Sequence, residues 1–142
     1  MKTVKEILDT KGREVWGIEP DAAVFEAVKL MAEKEVGALV VTTGDKLVGI
    51  ISERDCARKV ILMAKAPHET PTRDIMTTQV LCARLEQTVE ECMAMVTDNR
   101  VRHLPVLDQD RVVGIISIGD LVKTIIDEQQ FMIEQLEHYI SG

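Results

Sequence analysis

Ser52-x-x-Asp55 and Ser117-x-x-Asp120 pair a hydroxyl with a carboxylate at one spacing, each directly after a strand-like run, Gly49-Ile50-Ile51 and Gly114-Ile115-Ile116. A serine three residues ahead of an acid has the pattern of a capping box: the hydroxyl takes an orphan N–H at a helix start and the acid complements the dipole. That reading explains the residue types of either copy without a ligand. It leaves Gly49 and Gly114 unexplained, because glycine weakens a strand and marks close approach by another backbone or a ligand. Helix amino termini attract phosphate. An Asp there repels phosphate but can accept hydrogen bonds from ribose hydroxyls. The chemistry open to such turns is therefore binding rather than bond breaking.

A second stretch, Arg100-Val101-Arg102-His103-Leu104-Pro105-Val106, carries positive charge into a strand, and Arg54 can join the same patch. Arginine suits phosphate through its fork of donors. An exposed arginine taken alone is ordinarily just solvated. The corresponding stretch of the first copy, Val36-Gly37-Ala38-Leu39-Val40-Val41, has no such charge, so anion recognition here would be asymmetric. No nucleophile elbow, P-loop or metal motif places Asp, Ser or His for catalysis. Cys56, Cys82 and Cys92 lack ligand spacing and read as small buried fillers in a reducing cytosol, and the three histidines are scattered. No catalytic residue and no metal site is expected.

The elements that must position these turns repeat at about 65 residues, from Val15/Val80 to Asp55/Asp120. Two copies with so long a period read as half-domains sharing a core rather than as a solenoid. In the first, a strand from Val15 to Ile18 precedes a helix from about Ala22 to Lys34. Strands Ala38 to Thr42 and Leu47 to Ser52 follow, then a helix from Glu53 to about Met63. The second repeats the order: strand Val80 to Ala83, helix Val89 to Asp98 opened by the capping box Thr88-x-x-Glu91, strands His103 to Leu107 and Val112 to Ser117, and a helix from Ile118. Pro67 to Thr72 breaks the periodicity as a connector. The last helix runs unusually long, to about Ile140, with more apolar residues than one half-domain needs. That stripe serves a partner subunit or packs on the amino-terminal segment. The expected divisions are 1–66, 67–72, 73–126 and a helical extension over 127–142.

Hydrophobic residues make up 46% and charged residues 29%, ordinary for a soluble globular chain. A net charge of −7 and few aromatics argue against a nucleic-acid surface. The amino terminus has no apolar leader, and no run reaches membrane-spanning length, so the expected location is cytoplasmic.

The duplicated β-α-β-β-α order, ending in G-h-h-S-x-x-D and preceded by the Leu104-Pro105-Val106 strand, resembles the CBS (cystathionine-β-synthase) domain. Two in tandem resemble the CBS pair, or Bateman module, of stand-alone bacterial and archaeal proteins. The resemblance covers residues 4 to 126, with Val4-Lys5-Glu6-Ile7-Leu8 and Thr72-Arg73-Asp74-Ile75-Met76 as the lead-in to each repeat. The first copy departs from it by about three extra residues around Thr10 to Arg13. It implies an α+β fold of two small sheets with helices about a pseudo-two-fold axis, and adenosine-ligand clefts between the halves. Carried over, Asp55, Ser52 and Arg54 face ribose and phosphate in one cleft, and Asp120, Ser117 and Gly119 in the other. Ile50 with Val80 and Leu81 would flank adenine in the Asp55 cleft; Ile115 with Val15 and Trp16 would do so in the Asp120 cleft. Arg102 and His103 match phosphate-facing positions near the axis. Neither cleft looks disabled, and Arg54 suits the Asp55 cleft to extra phosphate or a dinucleotide.

The implied function is a non-catalytic regulatory module binding AMP, ADP, ATP or NAD, with no required cofactor. It would signal through a helix-mediated homodimer or an unidentified regulated protein. The alternative is a structural or interaction protein whose clefts stay empty.

Overall fold

The computed structural model describes residues 2–141. Met1 and Gly142, the outer ends of the first and last expected divisions, lie outside the described residues. Helix α1 (Val4–Lys11) leads into β1 (Gly17–Ile18), α2 (Val24–Lys34), β2 (Ala38–Thr43), β3 (Lys46–Ser52) and α3 (Glu53–Cys56). The second half repeats the order with β4 (Ala83–Arg84), α4 (Val89–Asn99), β5 (His103–Asp108), β6 (Arg111–Ser117) and α5 (Ile118–Ser141). Each half forms a three-stranded mixed sheet, β1-β2-β3 and β4-β5-β6, with its first strand parallel and its last antiparallel to the middle one. The fold is α+β, as expected.

Local sequence explains these elements. Val24, Ala27 and Met31 recur at helical spacing and are the buried face of α2; Val89, Cys92 and Val96 do the same in α4. Both helices stop at a residue in the left-handed conformation, Glu35 (φ 54°) and Arg100 (φ 53°). Thr88 and Glu91 close the expected capping box at the start of α4.

Three expectations are corrected. The helix from Glu53 to Met63 is a single α-turn that widens into a π-helical turn over Ala57–Ile61, where Leu62 N–H reaches back to Ala57 O (3.3 Å). The strand from Val80 is only Ala83–Arg84. In the first half Val40 N–H donates to Trp16 O (3.3 Å), but the equivalent Pro105 has no N–H to offer Leu81, so pairing starts later. Val15 and Trp16 likewise precede their strand, which is Gly17–Ile18. Of the two roles open to the α5 stripe, packing with the amino-terminal segment takes only its start, where Leu121 and Ile125 join the core that holds Val4, Ile7 and Leu8. Lys2 N–H bonds Glu128 Oε1 (2.9 Å), yet Phe131, Met132, Leu136, Tyr139 and Ile140 stand exposed.

Each half's core is completed by the lead-in of the other repeat. Val4, Ile7 and Leu8 of α1 pack in the second core with Ala83, Val89, Leu104 and Ile116. Ile75, which precedes the second repeat, is buried in the first core with Val24, Met31, Leu39 and Ile51. Matching backbone bonds fasten both lead-ins. Val4 N–H donates to Gln87 O (2.9 Å) and Lys5 N–H to Leu85 O (3.0 Å); Thr72 N–H donates to Ala22 O (2.8 Å) and Arg73 N–H to Pro20 O (2.9 Å). Val4 thus answers to Thr72, an offset of 68, while Gly49 answers to Gly114, an offset of 65, which confirms three extra residues after Leu8.

This exchange accounts for the strand glycines. A Cβ on Gly49 would lie 2.6 Å from Met76 Sδ and 3.0 Å from Thr77 O, and one on Gly114 2.7 Å from both Leu8 methyls. The approaching groups are the exchanged lead-ins. Gly49→Ala and Gly114→Ala are each expected to destabilise the fold by about 1–3 kcal/mol in urea unfolding, whereas Gly119→Ala, with only Ser117 Oγ at 3.5 Å, should be neutral or mildly stabilising.

Candidate functional site

Ser52 caps α3 as its sequence implies. Its Oγ accepts from Asp55 N–H (3.1 Å), while Asp55 Oδ2 accepts from Ser52 N–H and Oγ (both 3.0 Å). The capping reading is therefore fulfilled, and it also aims the turn. Ser52 and Asp55 line a cavity of about 480 Å³ between the two halves, together with Ile50 and Arg54. Val80 and Leu81 form part of its wall as extended chain outside the sheet, and Arg102 and His103 come from the entry to β5. These eight residues are among those expected at a site.

The cleft also contains residues that the sequence reading missed. Arg58 and Lys59 follow Arg54 and Asp55 by one helical turn, a spacing that could have revealed them, and Thr77 and Gln79 follow the lead-in; Arg100, the start of the expected positive stretch, closes α4 and lines the cleft too. Arg54, Arg58, Lys59, Arg100 and Arg102 face only Glu53 and Asp55, so the cleft is locally basic in a chain of net charge −7. Such a cleft concentrates anions. Arg54 Nη1 donates to Arg100 O (3.2 Å), joining the halves across it. Lys59 Nζ stands 3.4 Å from Asp55 Oδ1 and donates to Ile75 O (3.1 Å).

The remaining expected residues do not line this cleft. Asp120 Oδ2 accepts from Ser117 N–H (2.8 Å) and Asp120 N–H donates to Ser117 Oγ (3.2 Å), repeating both reciprocal bonds of the Ser52 capping box, but Asp120 Oδ2 also accepts from Lys11 Nζ (2.6 Å), which donates to Ile115 O (2.7 Å) as well. Gly119 is exposed beside Ser117. Trp16 packs against the first core with Lys34 Nζ 4.2 Å from its ring centre, and Val15 next to it is half-buried. Burial works against the charged form of Asp120, but the hydrogen bonds from Lys11 and Ser117 outweigh it and hold its carboxyl below the usual value. A comparable groove on the first half is lined by Glu19, Glu26 and Glu33 with one lysine, Lys29, a charge balance that repels phosphate. Among the described residues no cluster of three His, Cys, Asp or Glu could hold a metal, and no helix is long and apolar enough to cross a membrane.

His103 approaches Gly37 from the other half; a Cβ on Gly37 would lie 3.3 Å from its ring and from Glu53 Oε1. Burial keeps its pKa below the usual 6.5, and Lys11 pushes the same way, as does Arg102, against Asp120 and Glu53. The unfolded chain therefore takes up this proton first. Stability should fall as pH drops below about 6.5, and His103→Gln should flatten that slope in melting temperatures measured between about pH 5 and 7.

Comparison with known proteins agrees with this geometry. The CBS domain family model matches residues 4–62 and 73–127. A mitochondrial CBS domain-containing protein of Arabidopsis thaliana, CBSX3, is 36% identical over 99% of this chain and 72% of its own. The CBS-domain protein ATU1752 of Agrobacterium tumefaciens superposes with a TM-score of 0.83 at 36% identity, covering 87% of this chain and 98% of that one. The CBS domain pair of protein MJ0100, solved with 5′-methylthioadenosine and S-adenosyl-L-methionine, gives 0.80 at 25% identity over 90% and 98%. With both repeats matched and the exchanged lead-ins inside the matched regions, this chain belongs to the CBS-domain family as a tandem pair.

Proposed function

We propose that the chain is a non-catalytic regulatory module that binds an adenine nucleotide such as AMP, ADP, ATP or NAD in the Asp55 cleft. The observation that carries this reading is the cleft's charge pattern: one carboxylate fixed on a helix start, surrounded by five cationic side chains. Asp55 is the acceptor for ribose hydroxyls, with Ser52 beside it. Ile50, Val80 and Leu81 supply the apolar faces for adenine. Arg54, Arg102 and His103 serve phosphate, and Arg100 with the sequence-missed Arg58 extends the same anion surface. The adenosine compounds held by the MJ0100 pair support this ligand class. Three free cysteines, two with thiol pKa values pushed by burial to about 11, fit a reducing compartment such as the cytosol.

The competing view, a structural protein with empty clefts, draws on the complete capping box at Ser52. Asp55→Ala separates the two. Capping alone predicts a stability loss of about 1 kcal/mol and nothing else. Nucleotide binding predicts that AMP or ATP at 100 times its dissociation constant stabilises the wild type by about 2.7 kcal/mol and fails to stabilise the variant. No rise in melting temperature at millimolar nucleotide would refute the binding reading.

The signal would leave through an assembly, either a homodimer or a regulated protein. The uncovered apolar residues of α5 favour a second copy, because an exposed stripe of this size on a helix marks an association surface. Met132→Glu combined with Leu136→Glu, both side chains being exposed, should shift the mass in light scattering from dimer to monomer. An unchanged dimer would remove this helix from the interface.

A further inference from the structure

The two clefts differ in how the lead-in leaves the sheet. After Met76 the shorter lead-in turns flat against β3, where Thr77 N–H donates to Ile50 O (2.9 Å) and Ile50 N–H to Thr77 O (3.0 Å). The longer lead-in remains helical past Leu8, and its extra residues carry Lys11 to the end of α1. Its ammonium takes over the bond to the equivalent carbonyl, Ile115 O, at 2.7 Å and reaches Asp120 Oδ2 at 2.6 Å. One side chain thus ties up both the strand carbonyl and the carboxylate. Asp55 also has a lysine nearby, but Lys59 belongs to its own helical segment, stands 3.4 Å from the other oxygen and spends its hydrogen bond on Ile75 O.

We propose that Lys11 is the specificity-determining residue of this pair: it holds Asp120 in an internal ion pair, withholds that cleft from ribose, and leaves one nucleotide site per chain, at Asp55. The inference rests on the nucleotide reading above. A ribose hydroxyl can also make a charge-assisted bond to the carboxylate, but it carries no charge, so displacing the ammonium forfeits an ion-pair attraction that the sugar does not replace. Asp120 is the more sheltered partner, with 24% of its side chain exposed against 35% for Lys11, so solvent screens the pair in part while the two hydrogen bonds of Lys11 hold it in place.

Isothermal titration of AMP and ATP into the full chain tests this, using wild type, Lys11→Met, Asp55→Ala and the double variant. Methionine keeps the aliphatic stem and a good helix propensity, and Lys11→Gln serves as the second variant should the first misfold. The expected stoichiometries are one per chain for wild type, two for Lys11→Met, none for Asp55→Ala and one for the double variant. Wild type binding two nucleotides with affinities within about tenfold would overturn the role of Lys11 while leaving the nucleotide reading intact. So would a folded Lys11→Met or Lys11→Gln chain that still binds one. Absence of binding to wild type and to both Lys11 variants would overturn the nucleotide reading itself, and this inference with it.

Discussion

Leu8 seated on Gly114 and Met76 seated on Gly49 are the contacts through which each half closes the other's core. Burying a side chain such as Leu8 contributes about 1.5–3 kcal/mol, and each backbone bond at Val4, Lys5, Thr72 and Arg73 adds about 1 kcal/mol net. Because the lead-ins cross, these contributions count only when both halves are in register. The register in turn sets the cleft. Ile50, Ser52 and Asp55 come from one half, and Arg100, Arg102 and His103 from the other, so a shift of either sheet would separate the carboxylate from its surrounding cations.

Charge is distributed against the composition. A chain of net charge −7 gathers five cationic side chains around one cleft, and part of that gathering rests on a backbone feature. Arg100 ends α4 in the left-handed region, where glycine is the usual occupant, and its carbonyl accepts from Arg54. The matching Glu35 adopts the same conformation in the first half without lining the cleft. The duplicated backbone therefore offers one position twice, and the side chain decides which copy becomes part of an anion surface.

Much of this was legible in the residues. The repeated Gly-Ile-Ile-Ser-x-x-Asp strings located both turns, and hydrophobic period placed α2, α4, α5 and both hairpins to within about two residues, whereas α1 was legible only as a lead-in. The strand at Val80 was overextended because apolar character does not reveal that Pro105 withholds an N–H from Leu81. The strand glycines signal close approach by another backbone or a ligand, and a sequence does not say which segment approaches. Apolar patterning cannot tell whether Val4, Ile7 and Leu8 join the nearer core or the farther one. The three extra residues near Thr10 to Arg13 were visible, yet their effect depended on α1 remaining helical and on its landing against the opposite half. Arg58 and Lys59 were hidden by the reading of that segment as a plain helix, although their spacing from Arg54 and Asp55 puts them one turn along.

The crossing of the lead-ins also bears on the order in which the chain can become compact as it leaves the ribosome. The first half has all its core residues once Ile75 has emerged, since Val24, Leu39, Ile51 and Ile75 precede the second repeat. Helix α1, made before either half, finds its partners Leu104, Ile116 and Leu121 last. Closing so long a loop is slower than closing the contacts between Thr72 and Ala22. During that interval the apolar face of α1 has no native cover, and Lys11 has no Asp120 to meet. The lead-in of the first repeat is thus synthesised ahead of both halves and is among the latest segments to be fixed.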